Sequence, residues 1–89
     1  MSNARLVERI ESSLAEYRAG NIDLETLISA ITEQGSALEM MPYALVKEID
    51  EIEYQLTASQ FSDEDKSLPS EVEAITRLTQ WLSKVPTEN

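Results

Sequence analysis

The charged side chains of this 89-residue sequence are mostly carboxylates: 17 Asp and Glu stand against 7 Lys and Arg, with no His and no Cys. Paired carboxylates can run glycoside hydrolysis or metal-assisted chemistry when a fold buries two of them together, but nothing in their spacing here forces such a pocket. Lack of His removes imidazole general bases, serine triads of the usual type and the commonest transition-metal ligand. Lack of Cys removes thiolate nucleophiles, disulfides and zinc sites built on sulfur. The run Asp63-Glu64-Asp65-Lys66-Ser67-Leu68 opens like a calcium loop, with oxygen side chains at its first, third and fifth positions. Its sixth position needs Gly and is Leu68, and its twelfth needs a bidentate Glu and is Ala74, so the calcium reading is rejected. A di-iron bundle needs Glu-x-x-His pairs, which a chain without His cannot form. The expectation is a protein that is not an enzyme and uses no cofactor or metal.

Charge is then the feature left to explain. Residues 1–20 are neutral, with Glu8, Glu11 and Glu16 balanced by Arg5, Arg9 and Arg18. Residues 21–41 carry Asp23, Glu25, Glu33 and Glu39 and no base. Residues 42–66 add Glu48, Asp50, Glu51, Glu53, Asp63, Glu64 and Asp65 against Lys47 and Lys66. Nine of the ten excess negative charges therefore fall in the middle of the chain. Acidic side chains on a helix surface serve solubility in general. Crowding Glu48, Asp50, Glu51 and Glu53 together, with Lys47 as the one local base, nevertheless costs helix stability through like-charge repulsion, which a basic partner would relieve. Binding to a phosphate backbone is not expected of a chain with a pI near 4.2.

Helices must position these groups. In Arg5–Ala19, the residues Leu6, Val7, Ile10, Leu14 and Tyr17 recur at three- and four-residue spacing, and Gly20 supplies a left-handed stop. Asp23 is expected to cap a second helix, with Ile22 and Leu27 as a hydrophobic staple, Leu24, Leu27, Ile28 and Ile31 as its apolar face and Gly35 as its close. Pro42 is placed in the first turn of a third helix carrying the stripe Leu45, Ile49, Ile52 and Leu56. Gln60 to Pro69 reads as the longest loop. Ser70 and Glu73 form a capping-box pattern for a fourth helix, with Val72, Ile75, Leu78, Leu82 and Val85 inward and Pro86 as its stop. Trp81, beside Ala74 and Leu78, is expected as a core or boundary anchor, and Met40 and Met41 as fillers of an irregular gap. The fold class is all-α: one domain over residues 1–89, a small antiparallel bundle of about four helices. No membrane-spanning run and no signal peptide is read, so the expected location is cytoplasmic. Ser2-Asn3-Ala4 is either native or the remnant of a cleaved tag, and no function is assigned to it.

At about 100° per residue, the third helix projects Tyr43, Val46, Asp50, Glu53, Tyr54 and Thr57 along one flank of that stripe. Tyrosines interleaved with carboxylates suit a protein-binding face: the rings offer stiff contact area and the carboxylates accept Arg or Lys. The alternative is that Tyr43 and Tyr54 merely cover the edge of the core with their hydroxyls in water.

The acidity, the length, the all-helical pattern and the segment Tyr17-Arg18-Ala19-Gly20-Asn21-Ile22-Asp23-Leu24-Glu25-Thr26-Leu27 together resemble small bacterial immunity proteins. The similarity covers the first third of the chain and is to the helical type that neutralises colicin D-like and contact-dependent growth inhibition nuclease toxins. The Asp-x-x-Tyr-type signature of the DNase-colicin branch is not evident. The resemblance implies a cognate inhibitor that binds a basic nuclease domain and covers its RNA or DNA site. The contact is expected at Tyr43, Asp50, Glu53 and Tyr54, with Asp63, Glu64 and Asp65 as an acidic rim. The alternative is a helical regulatory protein that homodimerises or acts as an adaptor through an apolar face.

Overall fold

A computed structural model describes residues 2–60 and 70–87. Among these residues there are four α-helices and no strand: α1 (Asn3–Arg18), α2 (Leu24–Gly35), α3 (Tyr43–Gln60) and α4 (Ser70–Lys84). None is long and apolar enough to cross a membrane. The expected loop from Gln60 to Pro69, with Asp63, Glu64 and Asp65, lies outside the described residues apart from Gln60, which still belongs to α3.

Local chemistry accounts for most helix ends. Ser2 caps α1 by accepting the Arg5 amide at 3.3 Å, so the helix starts two residues before the expected Arg5. Gly20, at φ +82°, ends it: the Gly20 amide donates to the Tyr17 carbonyl at 3.0 Å and the Asn21 amide to the Glu16 carbonyl at 2.9 Å. That crossed pair needs a left-handed residue, which a Cβ would disfavour. Asp23 caps α2 through the Thr26 amide at 2.9 Å, and these hydrogen bonds hold its carboxyl below the usual carboxylate range. Gly35 closes α2 as its last helical residue, and the chain leaves through Ser36 in right-handed geometry. Pro42 stands just outside α3, its carbonyl accepting the Val46 amide at 3.1 Å. Ser70 already belongs to α4 and so is not the capping residue outside it.

Cross-helix contacts give the topology. The start of α1 meets the chain just after α4 through Asn3 and Pro86, while Tyr17 near its end donates a hydrogen bond to Glu71 at the start of α4. Trp81 reaches Leu45 near the start of α3, and Arg77 reaches Gln55 further along it. Helices α1 and α4 therefore run antiparallel, as do α3 and α4. With packed pairs α1–α2, α2–α3 and α3–α4, the chain runs up, down, up and down.

The core takes Val7, Ile10 and Leu14 from α1, Leu27 and Ile31 from α2, and Ile49, Ile52 and Leu56 from α3, as the periodicity requires. Two expectations fail. Val72 is 70% exposed. Because Trp81 is fully buried, with its Nε1 donating to the Leu45 carbonyl at 2.8 Å, the inward stripe of α4 is centred on Ala74, Leu78 and Trp81. Val72 then lies about 150° from that centre. Met40 fills no gap: it is 93% exposed at φ +55°, while Met41 packs against the core.

One buried polar side chain belongs to the segment given no role. Asn3 donates both Nδ2 protons, to the Glu39 and Pro86 carbonyls at 2.8 Å each, and its Oδ1 accepts the Glu39 amide at 2.9 Å. Every polar atom of that side chain is used. Asn3 thus joins the first helix to the α2–α3 connection and to the chain after α4.

Candidate functional site

Helix α3 carries every described residue of the expected binding face. Tyr43 and Tyr54 are 78% and 75% exposed, and Asp50 stands exposed between them. These three form an outward crest. Glu53 is half-buried and turns toward α2, where its carboxylate accepts a hydrogen bond from the Thr32 hydroxyl. That hydroxyl carries one proton and also has the Ile28 carbonyl 3.0 Å away, so the two acceptors compete for it. Asp63, Glu64 and Asp65 lie outside the described residues, and nothing places them relative to the crest.

The crowded carboxylates of α3 separate into two groups. On the side facing α4, Arg77 lies 3.1 Å from Glu51 and 3.8 Å from Glu48, and Lys84 lies 3.7 Å from Glu48. Arg77 also donates to the Gln55 side chain at 2.8 Å. The repulsion expected from sequence is therefore relieved in part by bases of the fourth helix, more than 20 residues along the chain. Asp50 and Glu53 make no ion pair among the described residues. Of the four crowded acids, those two are the ones no described base reaches, and Glu53 is held by the Thr32 hydroxyl.

Beside Glu53 the packing leaves a groove of about 320 Å³ between α2 and α3. Ile31, Leu38, Met41, Ile49 and Trp81 form its apolar floor and wall. Val46, Asp50 and Glu53 line it from α3, Thr32 and Gly35 from α2. Its volume is at the low end of the roughly 300–1,000 Å³ typical of ligand pockets, and suits one or two side chains. On the opposite side of Asp50, a shallower depression is bordered by Lys47, Tyr54 and Arg77. Asp50 is thus a ridge between two hollows.

The wall formed by residues 38–41 depends on Asn3, which holds both the amide and the carbonyl of Glu39. A left-handed Met40 follows, with Met41 packed inward and the Met40 side chain in solvent. Sequence reading named Val46, Asp50 and Glu53 on this flank but not the groove. Its other half comes from α2 and the connection after it, and no helical periodicity encodes how two helices are paired. The one available signal was Thr32, a hydroxyl one residue past the apolar face of α2.

Among the described residues, no group of three or more Asp or Glu converges in a way that could hold a metal ion. None of their buried side-chain nitrogen or oxygen atoms lacks a hydrogen-bond partner. Comparison with family models, curated proteins and solved structures yields no match.

Proposed function

We propose that this chain is an immunity protein: a cytoplasmic, non-enzymatic inhibitor that binds a basic nuclease toxin and covers its nucleic-acid site. The observation that carries the reading is the split of the α3 carboxylates. Glu48 and Glu51 are matched by Arg77 and Lys84, while Asp50 and Glu53, beside the exposed rings of Tyr43 and Tyr54, pair with no cation among the described residues. A nuclease surface shaped for polyanions is basic, so an acidic protein can compete for it. The −10 net charge speeds capture through long-range steering, and tyrosine anchors slow release.

The reading expects a large toxin with a basic C-terminal domain to be encoded immediately upstream. Coexpression of that domain with this chain restores growth, and the double reversal Asp50→Lys with Glu53→Lys abolishes protection while far-ultraviolet circular dichroism stays helical. Unchanged protection in a folded double variant removes this face. A second reading, a homodimeric or adaptor bundle, is favoured by the exposed apolar side chains Met40, Tyr43 and Val46. Size-exclusion chromatography separates the two: a salt-insensitive dimer supports the second, and a monomer that captures the basic domain supports the first.

A further inference from the structure

We infer that the groove between α2 and α3 is an anchor site for an amphipathic segment of a basic protein, taking one apolar side chain onto its floor and an Arg or Lys between Asp50 and Glu53. The inference rests on the proposed basic partner and adds where, and by what pairing of chemistries, that partner is gripped.

Two features of the groove combine to define its occupant. Its apolar lining, open to solvent at Leu38, Met41 and Val46 over a buried base of Ile31, Ile49 and Trp81, offers apolar contact that a purely polar or purely ionic ligand would waste. Its α3 edge carries the two carboxylates of the crowded segment that no base of the described chain matches. An apolar occupant without a cation would desolvate Asp50 and Glu53 with nothing in return. A cation without an apolar neighbour would gain only an exposed ion pair, which solvent and salt screen to little net affinity. A side chain of each kind, one helical turn or less apart, meets both demands. Arg serves this best, since its aliphatic stem can lie on Val46 while its guanidinium reaches two carboxylates. Met40, before α3, and Tyr43, its first residue, leave further apolar surface exposed outside the groove lining.

The groove also contains its own reporter, because Trp81 is the one tryptophan in the chain and lies at its floor. The probes are three synthetic helical peptides of equal length: one with Leu and Arg on one face, one with Gln replacing Arg, and one with Ser replacing Leu. Two variants close the site without touching the core. A Cβ built on Gly35 meets no atom within 4 Å and its φ is not left-handed, so the side chain of Gly35→Phe starts from open space at a residue that lines the groove. Val46 is already exposed, so Val46→Lys is tolerated, and it supplies an internal cation one turn before Asp50. The Leu–Arg peptide is expected to change Trp81 emission on binding, with each control peptide, and each variant, weakening Kd by about tenfold or more.

Equal affinity of the Ser-for-Leu peptide would overturn the inference by reducing the site to a generally acidic surface. Equal affinity of the Gln-for-Arg peptide would overturn it in favour of a neutral apolar interface, and a concentration-dependent dimer dissolved by Gly35→Phe would assign the groove to a second copy. Undiminished binding to a folded Gly35→Phe and a folded Val46→Lys would refute the placement. The inhibitor reading can fail or survive separately. Toxin protection retained by Gly35→Phe but lost in the Asp50 and Glu53 double reversal refutes the groove alone, whereas peptide binding in a chain that captures no nuclease refutes the inhibitor alone.

Discussion

Replacing Asn3 by Ala tests how the first helix holds the wall of the groove. The substitution removes three hydrogen bonds of 2.8, 2.8 and 2.9 Å, and strands two carbonyls and one amide that have no other partner in view. At roughly 0.5–1.5 kcal/mol net for each bond, the expected loss is about 3 kcal/mol, because partial access of water limits the desolvation penalty. For a domain of this length that corresponds to a fall in Tm of roughly 10–20 °C. Urea denaturation followed at the helical circular dichroism band gives the free energy, and hydrogen exchange at the Glu39 amide reports the local effect. Asn3→Asp sharpens the reasoning. It keeps the acceptor for the Glu39 amide but sets a carboxylate against two carbonyl oxygens, so it should be less stable than Asn3→Ala at neutral pH and recover as the pH falls and the carboxyl is protonated. Ser2→Ala, which loses one exposed cap, should cost about 1 kcal/mol or less. An Asn3→Ala protein within about 0.5 kcal/mol of the parent would refute the view of this side chain as a clamp on three segments.

Two further expectations concern the bundle. Burial, then the hydrogen bond to Glu71 and the negative charge of that carboxylate, push the Tyr17 hydroxyl from 10.0 up to about 12. A raised value stabilises the fold below pH 10 and loses that contribution as the pH climbs toward 12; the difference in Tm between parent and Tyr17→Phe should therefore shrink across this window, and a constant difference would contradict it. Trp81→Phe loses the bond to the Leu45 carbonyl and should cost roughly 1–3 kcal/mol, whereas Trp81→Ala also opens a cavity and should cost about 3–5 kcal/mol; equal costs in chemical denaturation would show that the ring is not packed as described.

Much of this molecule was legible in its residues because the causes are local. Gly20 and Asp23 act on amides or dihedrals within a few positions of themselves, and the apolar stripes of α1 and α3 follow from helical geometry alone. The same locality explains the failures. Val72 satisfied the periodicity of α4, yet the burial of Trp81 rotated that helix and left Val72 in solvent. Met40 and Met41 were equivalent as adjacent flexible side chains until a left-handed backbone at Met40 sent one outward and the other inward. Asn3 looked dispensable because its partners lie 36 and 83 residues away.

For the candidate site the division is equally physical. Sequence determined that this protein is a helical bundle, that its excess charge sits mid-chain, and that Asp50, Glu53, Tyr43 and Tyr54 share a flank, since these depend on composition and on the angle between successive residues. Tertiary structure alone decided which α3 carboxylates meet a described base and which acquire an apolar neighbour. Pairing α3 with α4 brings Arg77 and Lys84 to Glu48 and Glu51, and pairing α3 with α2 opens the groove beside Asp50 and Glu53. Charge neutralisation and cavity shape depend on distances across helices, and those are set by packing.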